Sequence, residues 1–196
     1  TPTKTKTPTP TPYSFYDDFS NNNSGWAIVN NPGWYLAGYT GNDYEIDVFS
    51  GDSRVWVVNP TIGNMDYTVE ADIRLYNGSE IMRYGLVFDM VNAGQFYVFS
   101  VIPSVQGYSS EKADNGNWTG LADGSNISTI NGGYATNHLR VEKNGSQITI
   151  SVNGYYLDTF YGGDFSSNNY WLGLYAKSGS NVPIIIRYDN FSVQEQ

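Results

Sequence analysis

The 196-residue chain contains no cysteine and a single histidine. The first absence removes disulfides and thiol chemistry. The second leaves too few nitrogen and sulfur donors for a zinc centre, and makes His138 the only possible base of a serine-type triad. No nucleophile motif accompanies His138, which heads a strand-like run, so it reads as a surface strand residue. Charge is scarce as well. Only 15% of residues are charged, and 10 basic residues face 19 acidic ones, a formal net charge of −9. Such a surface repels phosphate backbones and anionic lipid heads, which makes nucleic acid and membrane surfaces poor partners. No apolar run is long enough to cross a bilayer, so direct membrane insertion is not expected. Sustained helical periodicity, a phosphate-cradling glycine loop and a dinucleotide fingerprint are all missing. The chain begins at Thr1 rather than Met and shows no signal peptide, which leads us to expect a processed form or a fragment.

What the sequence does have is tyrosine, at 17 copies, within an aromatic content of 16%, and 21 glycines. Tyrosine suits pleated, half-buried surfaces, while Gly and Asn punctuate strands. Residues 1–12 stand apart: TPTKTKTPTPTP is a Thr-Pro repeat. Alternating proline enforces extended backbone and removes amide donors, so this stretch cannot build a core and reads as a stalk or linker. Residues 13–196 are then long enough for one large β domain.

Within that domain Tyr67, Val69, Ala71, Ile73 and Leu75 alternate with Thr68, Glu70, Asp72 and Arg74. This period of two marks a half-buried strand. Leu139 and Val141 repeat the pattern, as do Ile148, Ile150 and Val152. Asn144-Gly145 between the last two runs is a strong hairpin signal, because both residues tolerate the positive φ that a tight turn needs. Asn77-Gly78 and Asn153-Gly154 predict two further hairpins. Buried strands are predicted over 84–91, 95–102, 170–176, 184–188 and 191–193. So many antiparallel strands are most economically packed as two stacked sheets. The expected fold is all-β, a two-sheet antiparallel sandwich with an extended N-terminal tail.

The runs YGLVFDMVNAGQFYVFSV, GYSSEKADNGNWTGL, NHLRVEKNGSQITISVNGYYLDTF and RYDNFSV, with the opening YDDFSNNNSGW, resemble domains of the laminin G-like, concanavalin A-like lectin-glucanase superfamily of bacterial extracellular proteins. The resemblance implies a jelly-roll sandwich whose first and last strands are neighbours. It also implies frequent carbohydrate binding, sometimes a structural calcium, and an extracellular or cell-surface location. If the terminal strands pair, Asp17 and Asp18 from one and Asp189 and Asn190 from the other converge. Their oxygens are hard ligands of the kind Ca²⁺ takes.

Sugars present apolar C–H faces on which aromatic rings stack while neighbouring polar groups bond their hydroxyls. Four residues are candidates for that role. Trp171 and Tyr175 face outward if Leu172 and Leu174 face inward, and Tyr108 and Trp118 flank a polar stretch rich in Asn and Gly. Trp26, Trp34 and Trp56 remain ambiguous. A catalytic alternative lies at Glu45-Ile46-Asp47-Val48, which is similar to the active-site strand of family 16 glycoside hydrolases but lacks its second Glu, Phe49 and Ser50 standing there instead. Alternation sets Asp43, Glu45 and Asp47 on one face of that strand. Three functions fit these residues. The first is a non-catalytic glycan-binding or adhesion module on a surface stalk. The second is a subunit of an extracellular filament or layer, whose residues 1–12 dock on a neighbouring copy. The third is a glycoside hydrolase.

Overall fold

A computed structural model describes residues 11–196. It is almost entirely β: fifteen strands and one short 3-10 turn at Pro103–Val105, with no helix long and apolar enough to cross a membrane among the described residues. The stalk-like segment, and the assembly role proposed for it, lie outside the described residues except for Thr11 and Pro12.

The strands are β1 (Ser14–Asp17), β2 (Val29–Asn31), β3 (Tyr35–Thr40), β4 (Asp43–Val48), β5 (Arg54–Gly63), β6 (Tyr67–Asn77), β7 (Arg83–Asn92) and β8 (Gln95–Ile102). They continue as β9 (Gly107–Asp114), β10 (Asn117–Gly124), β11 (Asn137–Asn144), β12 (Gln147–Val152), β13 (Tyr155–Tyr161), β14 (Asn169–Lys177) and β15 (Ile184–Glu195). One sheet has nine strands in the order β13-β12-β11-β6-β15-β4-β3-β2, with β1 added alongside β15; the other has six in the order β10-β9-β8-β7-β14-β5. All pairings are antiparallel. The first and last strands meet, with Phe15 opposite Val193 and Asp17 opposite Phe191.

Period-two patterning explains the two layers. Val69, Ala71, Ile73 and Leu75 of β6, Leu139 and Val141 of β11, and Tyr44, Ile46 and Val48 of β4 are all fully buried on the inner side of the nine-stranded sheet. From the six-stranded sheet Tyr84, Leu86 and Phe88 of β7, Phe99 of β8, and Leu172 and Leu174 of β14 meet them in one continuous core. Fully burying a Val, Ile, Leu or Phe side chain contributes about 1.5–3 kcal/mol.

A charged pair ties the layers together inside this core. Lys143 of β11 places its Nζ 3.1 Å from Asp89 Oδ1 and 3.0 Å from Oδ2, and the Tyr67 hydroxyl donates to the same carboxylate at 2.9 Å. Asp89 sits in a bulge of β7 with φ 45°, which turns its side chain inward from a strand position that would otherwise alternate out.

The turns divide into those that join neighbours and those that change sheet. Asn144-Gly145 links β11 to β12 and Asn153-Gly154 links β12 to β13, both as antiparallel hairpins. Asn77-Gly78 does not make the hairpin expected of it. Strand β6 lies in the nine-stranded sheet and β7 in the six-stranded one, so this dipeptide carries the chain across the sandwich. There Gly78 has φ +109°, and a Cβ would fall 2.5 Å from the Pro183 carbonyl oxygen. Pro60 is accommodated because β5 is an edge strand.

Candidate functional site

Alternation along the six-stranded sheet leaves a second set of side chains on its outer face. Val87 and Met90 of β7, Phe96 and Val98 of β8, Ala113 of β9 and Tyr175 of β14 form an apolar cluster separate from the core, with Trp56, Val58 and Trp118 packed against it. Every member comes from this one sheet. The register explains the grouping: Trp56 pairs with Tyr175, Tyr175 with Gly85, Phe96 with Ala113, and Ala113 with Trp118. Two glycines hold the floor of this face tight. A Cβ on Gly85 would lie 1.9 Å from the Phe99 carbonyl oxygen, and one on Gly173 would lie 2.1 Å from that of Val57.

The aromatic residues form a shallow frame. The Phe96 ring lies 4.8 Å from Trp56 and 5.5 Å, edge-on, from Trp118. Both tryptophans are half-buried. The Arg54 guanidinium lies over the Trp118 ring, 3.4 Å from its centroid, and is held there by Glu111 through two hydrogen bonds of 3.3 Å. Arg83 approaches the same Glu111 at 3.5 Å. Beneath these groups the Tyr175 hydroxyl is buried yet has no hydrogen-bond partner among the described residues. Burial raises its pKa well above the usual tyrosine range, so it stays a neutral donor. A cavity of about 190 Å³ lined by Trp34, Tyr35, Arg54, Val55 and Trp56 opens at the edge of this frame.

The four ligand-binding candidates named from sequence separate. Trp118 lies in the frame. Tyr175 shares its face, as the alternation with Leu172 and Leu174 requires, but forms the floor and exposes no ring. Trp171 sits further along the same strand with 41% of its surface exposed. Tyr108 is corrected: it faces the core, 5% exposed, and its hydroxyl donates to Asp158 Oδ2 at 3.2 Å. It therefore points to the opposite side of the sheet from Trp118 and cannot form a rim with it. Trp56, left ambiguous by the sequence, is the residue that was missed.

Of the four metal candidates, Asp17 lies in β1 opposite the buried Phe191, Asp18 follows it, and Asp189 and Asn190 lie in β15, where Asp189 pairs with Asp72; each accepts a hydrogen bond from the protein. Asp17 Oδ1 accepts from the Phe19 amide at 2.8 Å, and Oδ2 accepts from the Ser24 hydroxyl. Asp18 accepts from the Ser20 amide at 3.0 Å, and Asp189 from the Asn190 amide at 2.7 Å. Asn190 Oδ1 accepts from Tyr16 at 2.7 Å while its Nδ2 donates to Asp72. Asp17 is buried and Asp18 exposed. No group of three or more His, Asp or Glu side chains among the described residues could hold a metal ion.

The comparisons with known proteins bear on the fold. Neither a protein-family model nor the sequence of a curated protein matches the chain. Solved structures do. The carbohydrate-binding module CBM66 from Bacillus subtilis superposes with a TM-score of 0.62 at 16% identity, covering 92% of this chain and 95% of that one. The carbohydrate recognition domain of Emp47p matches with a TM-score of 0.66 at 14% identity over 93% and 95% of the two chains. A β-glucanase from Bacillus licheniformis gives 0.65 at 12% over 93% and 98%. The sandwich is a concanavalin A-like jelly roll. That fold carries both lectins and glucanases, so the side chains on it have to decide between binding and catalysis.

The jelly roll places the catalytic candidates far from the aromatic frame, on the outer face of the nine-stranded sheet. Glu45 accepts from Arg187 Nε at 2.7 Å, and Arg187 lies over Tyr76. Asp43 is bound by Arg74 at 2.7 Å. Burial, then the neighbouring Glu45 carboxylate, push Asp47 up to about 6. His138 lies on the same face, with Nδ1 2.8 Å from Asp72. Ion pairs between adjacent strands cover much of this face, and Glu45 and Asp47, two residues apart on β4, line a cavity of about 190 Å³ with Leu36, Tyr39 and Thr40.

Proposed function

We propose that the domain is a non-catalytic carbohydrate-binding module of an extracellular or cell-surface protein, and that it takes a glycan on the outer face of its six-stranded sheet. The observation that carries this reading is the apolar cluster outside the core, rimmed by Trp56, Trp118 and Arg54, with no other described element contributing to it. An apolar patch with convergent polar groups is how a protein surface meets a sugar: rings take the C–H face, and charged or amide groups take the hydroxyls. Arg54 and Glu111 supply donors and acceptors beside the rings, and their mutual hydrogen bonds fix them before any ligand arrives.

Catalysis is disfavoured by the charges. Glycoside hydrolysis needs two carboxyl groups flanking one bond. Glu111, the carboxylate beside the frame, is neutralised by two arginines, while Glu45 is held by Arg187 and its strand carries Phe49 and Ser50 where the family 16 strand has a second Glu. The kinship in fold with a carbohydrate-binding module and a carbohydrate recognition domain supports binding as the activity. The Thr-Pro segment suits a stalk outside the cell.

The test is retention of the protein on insoluble and printed polysaccharides, compared with Trp56→Ala and Trp118→Ala variants of unchanged circular dichroism. Binding lost in the variants supports the reading. Binding to no glycan, or equal binding by wild type and both variants, refutes it.

A further inference from the structure

The outer face of the six-stranded sheet carries a row of three cations. Arg54 of β5 pairs with Lys177 of β14, and Lys177 pairs with Arg83 of β7, so three positive side chains stand abreast on adjacent strands. In a chain with 10 basic residues against 19 acidic ones, this concentrates three of the ten in one line. Like charges directly opposite each other across a sheet are destabilising. The neutralisation available is incomplete. Glu111 serves Arg54 and Arg83 together, at 3.3 and 3.5 Å, and Lys177 makes no ion pair among the described residues. Asp52 is the other acidic group acting on Lys177.

Next to the row a cavity of about 230 Å³ is lined by Asp52, Ile81, Met82, Arg83, Lys177 and Gly179, among others. It lies at the Arg83 end, as the smaller cavity beside Trp56 lies at the Arg54 end. Burial, followed by the adjacent guanidinium charges of Arg54 and Arg83, holds Lys177 below the usual lysine range, with Glu111 and Asp52 acting the other way. The Arg forks and a point-charge lysine are suited to planar or tetrahedral oxyanions.

We infer that the ligand of this face is an acidic polysaccharide, whose carboxylate or sulfate groups are received by Arg54, Lys177 and Arg83 while its rings lie against Trp56, beside the Arg54-covered Trp118. This inference rests on the carbohydrate-binding reading above and narrows it to one class of sugar. The local row is positive on a chain that is otherwise strongly negative. An acidic glycan repelled by the rest of the surface is thereby directed to this face.

The experiment is calorimetric titration of the protein with three oligosaccharides: tetragalacturonic acid, its methyl ester, which keeps the rings and removes the charge, and a sulfated carrageenan tetrasaccharide. At least one acidic ligand is expected to bind about ten-fold or more tightly than the ester, as a charge-assisted contact provides. The preference should fade as salt rises from about 50 to about 500 mM. Lys177→Gln should lose most of that preference. Lys112→Gln, which removes the same unit charge but belongs to an ion pair with Asp164 away from this face, should keep it. Preference for the carboxylate or for the sulfate distinguishes the two oxyanion sources, and either supports the inference. Equal affinity for acid and ester, or a preference that Lys177→Gln retains, overturns it while leaving glycan binding intact. Binding of no acidic or neutral sugar overturns the functional reading as well.

Discussion

Arg54 lies over Trp118, with its guanidinium carbon 3.4 Å from the centroid of the ring. The stack joins the two edges of one sheet face, since Arg54 opens β5 and Trp118 lies near the start of β10. Glu111 locks the guanidinium from below. A polar group and an aromatic ring are thus presented at fixed spacing, and little side-chain entropy is left to lose on binding.

Trp56 is therefore expected to carry more of the sugar contact than Trp118, whose ring Arg54 already covers. Trp56→Ala should weaken glycan affinity by about ten-fold, or ~1.4 kcal/mol. Its effect on unfolding free energy should be small by comparison, since Trp56 only packs at the margin of the outer cluster. Affinity electrophoresis and urea unfolding on the same preparation separate the two effects.

The buried pair between the sheets gives a different expectation. Lys143→Met leaves the Asp89 carboxylate inside the core with only Tyr67 to bond it. Removing one partner of a buried ion pair costs about 3–5 kcal/mol. The double variant Asp89→Asn, Lys143→Met should recover most of that loss. Urea titrations of the single and double variants measure the difference.

Asp47 makes stability depend on pH in a direction opposite to a salt-bridged carboxylate. Its folded pKa of about 6 lies above the unfolded value of 3.8, so the folded state holds the proton more tightly. Stability is full below about pH 4 as far as this group is concerned, and falls as pH rises through the window up to 6. Asp47→Asn should flatten that slope and raise the melting temperature at pH 7.5. Because Asp47 is only half-buried, solvent screening limits the gain to about 1 kcal/mol. Thermal melts at pH 4.5 and 7.5 show whether the difference between the two conditions shrinks.

Gly85→Ala should be among the most damaging substitutions in the sheet. Its methyl group would sit 1.9 Å from a neighbouring backbone oxygen, and backbone cannot step aside as a flexible side chain can. A loss of at least about 3 kcal/mol follows. Gly120→Ala, in the outer strand β10, meets nothing within 4 Å and should be tolerated. The pair is compared by chemical denaturation.

Much of this was readable before the structure. The strands of β6, β11 and β12 announce themselves because polar and apolar residues alternate strictly, and the meeting of β1 and β15 follows from the jelly roll that the sequence resembles. The functional face was readable only in part. Trp171 and Tyr175 could be assigned outward because Leu172 and Leu174 anchor the opposite parity. Trp56 could not, since Val55-Trp56-Val57-Val58 offers apolar residues on both sides and no parity to read. The turn-rich sequence around Tyr108 points to a rim, whereas one residue of register decides that it faces the core. The row of Arg54, Lys177 and Arg83 spans positions far apart in the chain. It exists only through strand pairing, which no local pattern encodes. Asn77-Gly78 failed as a hairpin for the same reason: turn chemistry bends the chain without saying which sheet the next strand joins.

The outer face of the six-stranded sheet is the surface on which a ligand is expected. The five tryptophan indole N–H signals in a nitrogen–proton correlation spectrum report on it directly, because one buried ring, Trp26, serves as an internal reference. Titration with a binding oligosaccharide is predicted to shift Trp56 and Trp118 while Trp26 stays fixed. Shifts that spare Trp56 and Trp118 at a saturating oligosaccharide concentration would place the binding surface elsewhere and contradict that expectation.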